Sequence, residues 1–345
     1  MTDWQQHAEC WAYAYERPVA NARIKSQPSH FKVFEVLGFE PSGHGEFVLV
    51  EIEKTQLDTP QAGALLARYC NLPRSSVSHA GLKDRHAVCR QFFSIHLPGR
   101  STPDFKGLDN EQLKLISIHR HQRKLRPAAI QFNRFELVLD ALEAHTERLD
   151  QRLLQVSNFG VPNYFGLQRF GRHFSNLNLA LAMAGNTKRR VDRMRRSLAI
   201  SAARSWIFNQ VLSERVNQKN WAGGVNREVW MLRDSNSVFG PDELTPEIAQ
   251  RAELGEIDTS GPMWGQGKLR TEGELAELEG HTASEAAPFD LWLAEIGLKQ
   301  ERRRLRLQPR QMTWSRLSEN QMALRFILPR GCFATAVLRE ICGWD

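Results

Sequence analysis

The segment Met322-Ala323-Leu324-Arg325-Phe326-Ile327-Leu328-Pro329-Arg330-Gly331 decides how this chain is organised. Met322, Leu324, Phe326 and Leu328 recur every second residue, the period of a strand with one buried face. Pro329-Arg330-Gly331 ends it, and Val337, Leu338 and Ile341 follow on a last helix. One strand and one helix cannot bury enough apolar surface to stand alone. The pattern offers them a sheet at the other end of the chain. Residues 31–36 alternate, 47–52 put Val48, Val50 and Ile52 on one face, and 92–97, 113–118 and 135–139 read as further strands. One helix interrupts them near Thr59-Pro60, where Thr59 can cap and Pro60 suits the first turn. Its Ala62, Leu65, Leu66 and Tyr69 fall at i, i+3, i+4 and i+7, giving one buried face. From Leu149 the period turns helical through Leu153 and Val156, with further helical stretches at 176–184 and 191–216. Residues 223–280 are Gly- and acid-rich and read as loops and short elements. A sheet begun before residue 140 and completed after Pro309 makes the middle an insertion, so the expected class is α+β.

A chain of 345 residues suits two domains of roughly 150 each. The net charge of +7 is modest, but Lys and Arg crowd into residues 120–126, 188–196 and 302–310. Singly, such a run is usually a solvated face; three in one chain point to a polyanion, with RNA the first candidate. No stretch approaches the roughly 18 apolar residues of a membrane span, and Asp3, His7 and Glu9 open a terminus without the apolar centre of a signal peptide. The expected location is cytoplasmic. Cys10, Cys70, Cys89, Cys332 and Cys342 form no CxxC pair, so free thiols and no structural metal are expected. Neither GxxxxGK[ST] nor a GxGxxG between strand and helix is present.

The densest chemistry lies in Ala80-Gly81-Leu82-Lys83-Asp84-Arg85-His86-Ala87-Val88-Cys89-Arg90-Gln91. Lys83 and Arg85 flank Asp84 and favour its ionised form, and an ionised carboxylate on a short loop can act as nucleophile or base. The same spacing also fits a loop Asp paired with surface cations. Gly43-His44-Gly45-Glu46 reads as a hairpin turn with Glu46 in support. Phe135 opens a strand and by pattern is a core residue; Lys25, before Ser26-Gln27-Pro28, reads as an exposed lysine before a turn.

The segment around Asp84 resembles the signature of the TruD family of tRNA pseudouridine synthases. Similar stretches recur at Phe31-Lys32-Val33-Phe34-Glu35, Gly43-His44-Gly45-Glu46, Asn133-Arg134-Phe135, Pro162-Asn163-Tyr164-Phe165-Gly166-Leu167-Gln168-Arg169-Phe170-Gly171 and Phe333-Ala334-Thr335, from about Lys25 to about Glu340. The resemblance implies a pseudouridine synthase catalytic domain with a curved, mainly antiparallel sheet, interrupted by a mostly helical insertion domain. It divides the chain into residues 1–158, the first part of the catalytic domain, 159–307, the insertion, and 308–345, the last strand and helix. It further implies isomerisation of uridine to pseudouridine at position 13 of tRNA, with no cofactor, tRNA as the partner and no protein partner. A monomer is compatible with this. Asp84 is the implied catalytic carboxylate. Phe135 would stack on the target base, Asn133 would orient the base or Asp84, and Lys25, Lys83 and Arg85 would line the substrate site. Arg120, Arg123, Lys124 and Arg126, just upstream of Asn133, are expected on RNA phosphates near the pocket, and Gln168 and Arg169 on RNA. Two departures stand out: Cys89 replaces the usual Thr, and Phe132 the usual Gly. Competing readings are an RNA-binding module without catalysis and an RNA methyltransferase, the latter lacking a glycine-rich loop after a parallel strand.

Overall fold

The computed structural model describes residues 3–186 and 190–344. Lys188, where the second basic run begins, lies outside them. The chain divides into two compact units: Val19–Asp150 with Pro309–Gly331 and Cys342–Asp345, and Met1–Pro18 with Gln151–Gln308 and Cys332–Ile341.

The first unit is built on a large, mainly antiparallel sheet of ten strands among the described residues. In chain order the first seven are β1 (Ala20–Arg23), β2 (Phe31–Leu37), β3 (Phe47–Thr55), β4 (Val77–His79), β5 (Val88–His96), β6 (Leu113–His121) and β7 (Ile130–Ala144). Across the sheet the order is Arg310–Ser318, Gln321–Pro329, β7, β2, β5, β3, β6. Along that order only β2 and β5 run parallel. The C-terminal segment joins the N-terminal strands through Met322↔Leu139, Leu324↔Leu137, Phe326↔Phe135 and Leu328↔Asn133. Met322, Leu324, Phe326 and Leu328 are at most 1% exposed; a slip of one residue would turn all four to the opposite face, which fixes the register. The Thr59–Tyr69 helix lays Ala62 and Leu66 on Val48, Val50, Ile52, Phe93 and Ile95. Its cap is Asp58 rather than the expected Thr59. Asp58 Oδ1 accepts from the Gln61 N–H at 2.7 Å while Gln61 Oε1 accepts from the Asp58 N–H at 3.1 Å, a reciprocal capping box.

The second unit buries the 25-residue helix Arg193–Asn217 through Trp206, Ile207, Phe208 and Leu212. It also contains a four-stranded antiparallel sheet in the order Val238–Asp242, Glu228–Leu232, Ile257–Met263, Glu301–Arg304. The region expected to be loops and short elements is therefore partly sheet. One of its strands, Ile257–Met263, pairs with the third basic run, whose arginines turn to acids within the unit. Arg302 meets Glu279 through two 2.8 Å contacts, and Arg304 and Arg306 reach Asp258 at 3.3 and 2.7 Å. The last helix, Ala334–Ile341, groups with this unit rather than with the sheet that receives its preceding strand. Among the described residues no helix is long and apolar enough to cross a membrane.

Candidate active site

Directly paired residues on neighbouring strands share a face. The registers Lys54↔Cys89, Ile52↔Gln91, Val33↔Cys89, Val33↔Phe135, Glu35↔Asn133 and Phe326↔Phe135 therefore place Lys54, Cys89, Gln91, Glu35, Asn133 and Phe135 together on one face of the sheet. The Thr59–Tyr69 helix covers part of that face. Beside its N-terminus runs the loop that ends in Asp84.

Asp84 is half-exposed. Its Oδ1 accepts from the His86 N–H at 2.9 Å, and Lys25 Nζ donates to Oδ2. Burial pushes the carboxyl up, but the Lys25 hydrogen bond, the His86 amide and the Lys25 charge together outweigh it and hold it below its ordinary value of 3.8. Lys25 also lies 4.5 Å from the centroid of Phe31. Its backbone is in the left-handed region at φ 58°, which costs a non-glycine residue about 1 to 2 kcal/mol; the ion pair is an interaction that this strained position makes.

The cations adjacent in sequence do not pair with Asp84. Lys83 turns to Glu35, with Nζ to Oε1 at 2.6 Å; Glu35 is 4% exposed, and its other oxygen accepts from the Phe92 N–H at 2.9 Å. Arg85 Nε donates to the Gln56 carbonyl at 3.3 Å. The charge that answers Asp84 comes from Lys25, 59 positions away.

Phe135 is 6% exposed, stacked on Phe326 at 5.5 Å and edge-on to Phe31 at 6.3 Å. That is the burial of a core ring. Asn133 is buried as well, and its Oδ1 has no hydrogen-bond partner among the described residues. Arg120 serves the fold, donating to Thr102 Oγ1 at 2.8 Å, the Gly45 carbonyl at 3.2 Å and the Arg100 carbonyl at 2.6 Å. Gly45 is required beside it, since at φ 116° an added Cβ would lie 2.5 Å from the His121 carbonyl. Arg123, Lys124 and Arg126 are exposed. The structure does not bring this run to Asp84. The register Val48↔Arg120 sets it six residues along β3 from Lys54, roughly 20 Å at 3.3 Å per residue. Closeness in sequence to Asn133 misleads because β6 leaves the sheet at the end remote from Lys54.

In the second unit Gln168 is exposed, whereas Arg169 covers Phe165 and Phe333 at 5.1 and 5.5 Å and donates to Ser201 Oγ at 3.1 Å. Tyr164, Phe165 and Phe170 are core. A Cβ on Gly166 would approach Thr335 Oγ1 to 2.6 Å, so two of the recognised segments, 163–171 and 333–335, meet there.

Sequence reading passed over Lys54 and gave no site role to Thr59, Gln91 or Glu35, although Gln91 and Glu35 fall in the segments that carry the resemblance. Lys54 is wholly buried; its Nζ donates to the Leu57 carbonyl at 2.7 Å and the Asp84 carbonyl at 2.9 Å. Burial lowers its ammonium below the ordinary value, against the opposing pull of Cys89 and Asp84. Thr59 Oγ1 donates to Gln91 Oε1 at 2.9 Å and accepts from the Lys83 N–H at 2.9 Å, and Gln91 Nε2 donates to the Gly81 carbonyl at 2.7 Å. The Cys89 thiol, pushed up to about 11 by burial, stays protonated and points at the Asp84 carbonyl at 3.7 Å. A signal for Lys54 existed: it continues the Val48, Val50, Ile52 alternation onto the buried face.

A sequence model of the family described as tRNA pseudouridine synthase D (TruD) matches residues 8–184 and 182–341. The chain is 41% identical over 343 residues to tRNA pseudouridine synthase D of Xanthomonas axonopodis pv. citri, covering 95% of this chain and 93% of that protein. It is 42% identical over 333 residues to the protein of the same name from Aeromonas hydrophila, covering 96% and 93%. Its fold is similar to that of a crystal structure described as a putative TruD from Methanosarcina mazei, with a TM-score of 0.74 at 19% identity over 95% of each chain. With family-wide matches spanning both units, the chain belongs to the TruD family of tRNA pseudouridine synthases.

Proposed function

We propose that this chain, a tRNA pseudouridine synthase and hence an isomerase, converts uridine 13 of tRNA to pseudouridine with Asp84 as its catalytic carboxylate. The reaction detaches uracil from C1′ of its ribose, turns it and rejoins it through C5. Attack at C1′, addition at C6 and removal of a ribose proton all require an ionised, aimed carboxylate beside an unstacked nucleotide. The observation that carries the reading is the Lys25–Asp84 ion pair: it keeps the one half-exposed carboxylate of the loop charged at the end of the face that holds Asn133 and Phe135. Asn133 Oδ1, buried without a partner among the described residues, is suited to a donor on the base. In this reading the unit around the large sheet is the catalytic domain. Residues 159–307 are the family's insertion and contribute to substrate choice, with exposed Gln168 on the RNA side and Arg169 packed beneath it against Phe165 and Phe333. Arg123, Lys124 and Arg126 hold phosphates away from the reacting base, with Arg120 supporting their turn.

Asp84→Asn tests the assignment. It keeps the side chain's size and removes its charge, so pseudouridine formation should vanish while tRNA affinity is kept or slightly improved, a negative charge near phosphates having gone. Because the isomer has the mass of uridine, the readout is the carbodiimide adduct that pseudouridine forms in treated tRNA. An Asp84→Asn protein working near the parental rate would exclude Asp84 as the catalytic group.

A further inference from the structure

Three backbone atoms within the four residues Gly81–Asp84 are held from below by side chains that are each 0% exposed. Gln91 Nε2 holds the Gly81 carbonyl at 2.7 Å, Thr59 Oγ1 receives the Lys83 N–H at 2.9 Å, and Lys54 Nζ holds the Asp84 carbonyl at 2.9 Å. Thr59 and Gln91 are themselves joined at 2.9 Å. The path from Gly81 through Gln91 and Thr59 to Lys83 therefore closes a ring around Leu82. Lys54 adds a second tie, because its other bond goes to the Leu57 carbonyl just ahead of the helix.

A buried hydroxyl, amide and ammonium are costly to remove from water, and the ammonium most of all. Packing alone would favour apolar side chains at these positions, since β3 already supplies Val48, Val50 and Ile52 on the same face. What the polar groups gain in exchange is contact with the loop: of the protein hydrogen bonds they make, Lys54, Thr59 and Gln91 each direct one to its backbone. An unpinned loop would let the Asp84 carboxylate sample many orientations, and a displacement of about 1 Å from a reactive geometry can cost about a hundredfold in rate.

We propose that Lys54, Thr59 and Gln91 are positioning residues, a buried clamp that fixes the Gly81–Asp84 backbone so that the Asp84 carboxylate is aimed before RNA arrives. The clamp acts on the chemical step and not on affinity, because its groups are covered and face the loop's inner side. It rests on Asp84 being the catalytic carboxylate.

The cleanest variant is Thr59→Val, which keeps the shape and removes only the hydroxyl; Thr59→Ser returns the hydroxyl, and Lys54→Met removes the ammonium at similar length. Each is compared with Asp84→Asn on full-length tRNA for single-turnover pseudouridine formation, tRNA Kd and folded fraction by thermal unfolding. The expected result is a single-turnover rate lowered about 10- to 100-fold in Thr59→Val and Lys54→Met, with Kd within about twofold of the parent and Thr59→Ser within about threefold of the parental rate. If Asp84→Asn is inactive and folded Thr59→Val keeps the parental rate, or loses rate only in proportion to its folded fraction, the clamp is overturned while the Asp84 assignment stands. An active Asp84→Asn overturns that assignment and the clamp with it. Should Lys54→Met fail to fold, the Thr59 pair decides alone.

Discussion

Phe135 lies where a core ring and a base-stacking ring look alike, between Phe31 and Phe326 at 6% exposure. Substitution separates the two. If it stacks on the target base, Phe135→Tyr keeps a π-face and retains most turnover. Phe135→Ala loses a contact worth about 1 to 3 kcal/mol, and turnover falls about 5- to 160-fold in protein that remains folded. An Ala variant that merely unfolds, with Tyr equally damaging, marks a core residue; circular dichroism beside the turnover assay reads both. Glu340 offers a test of a different kind. It is wholly buried, its Oε2 accepts from the Ala14 N–H at 3.0 Å, and burial raises its carboxyl to about 7 despite Arg339 beside it. The unfolded chain releases this proton near the ordinary 4.5, so between those values the folded protein holds a proton that the unfolded chain does not. The stability this group contributes is therefore full below about 4.5 and is lost as pH rises through about 7, an effect of roughly 3 kcal/mol. Denaturant unfolding at pH 5 and pH 8 should show that decline, and Glu340→Gln should flatten it.

At the scale of elements, the Thr59–Tyr69 helix shows how a small local difference assigns roles. Asp58 and Thr59 both suit an N-cap, but only Asp58 has a Gln three residues on, the spacing of a capping box. In the structure Asp58 caps together with Gln61, which leaves the Thr59 hydroxyl for Gln91 and the Lys83 amide. Asp58→Ala should lower stability by about 1 kcal/mol in urea unfolding, with the slope of the transition unchanged; a neutral Asp58→Ala would mean that the cap bond adds nothing net. The four-stranded sheet of the second unit was hidden by the opposite problem. Its Glu301–Arg304 strand carries charge at every position, and strand reading depends on an apolar alternation that ion pairing to Glu279 and Asp258 replaces. The large sheet was legible because its strands alternate: 48, 50 and 52 on β3, and 322, 324, 326 and 328 near the C-terminus, keep one apolar face each.

Over the whole molecule, the cationic charge left exposed in the basic runs is smaller than its sum suggests. Arg302, Arg304 and Arg306 are committed to acids within their unit and Arg120 to backbone carbonyls, whereas Arg123, Lys124 and Arg126 stand exposed. Neutralising those three together should weaken tRNA binding and flatten its salt dependence, each lost phosphate contact removing about 0.7 to 0.9 from the log–log slope. An unchanged slope would take the run out of the interface. What the sequence by itself determined is which apolar residues of the large sheet's alternating strands face inward, and that strands from both sides of the middle segment share this sheet. A two-residue apolar period sorts a strand's residues between faces wherever in the chain the strand occurs, and it survives separation by some 180 positions between β7 and Gln321. The polar loop at Asp84 was visible in the same way, as an excess of charge where no apolar period runs. Only the tertiary structure decided which charge meets which: Lys25 for Asp84, Glu35 for Lys83, and the buried Lys54 for the loop's backbone. Periodicity reports the side of an element on which a group lies, whereas Coulombic and hydrogen-bond energies depend on distance through space, and that distance exists only once the strands have paired.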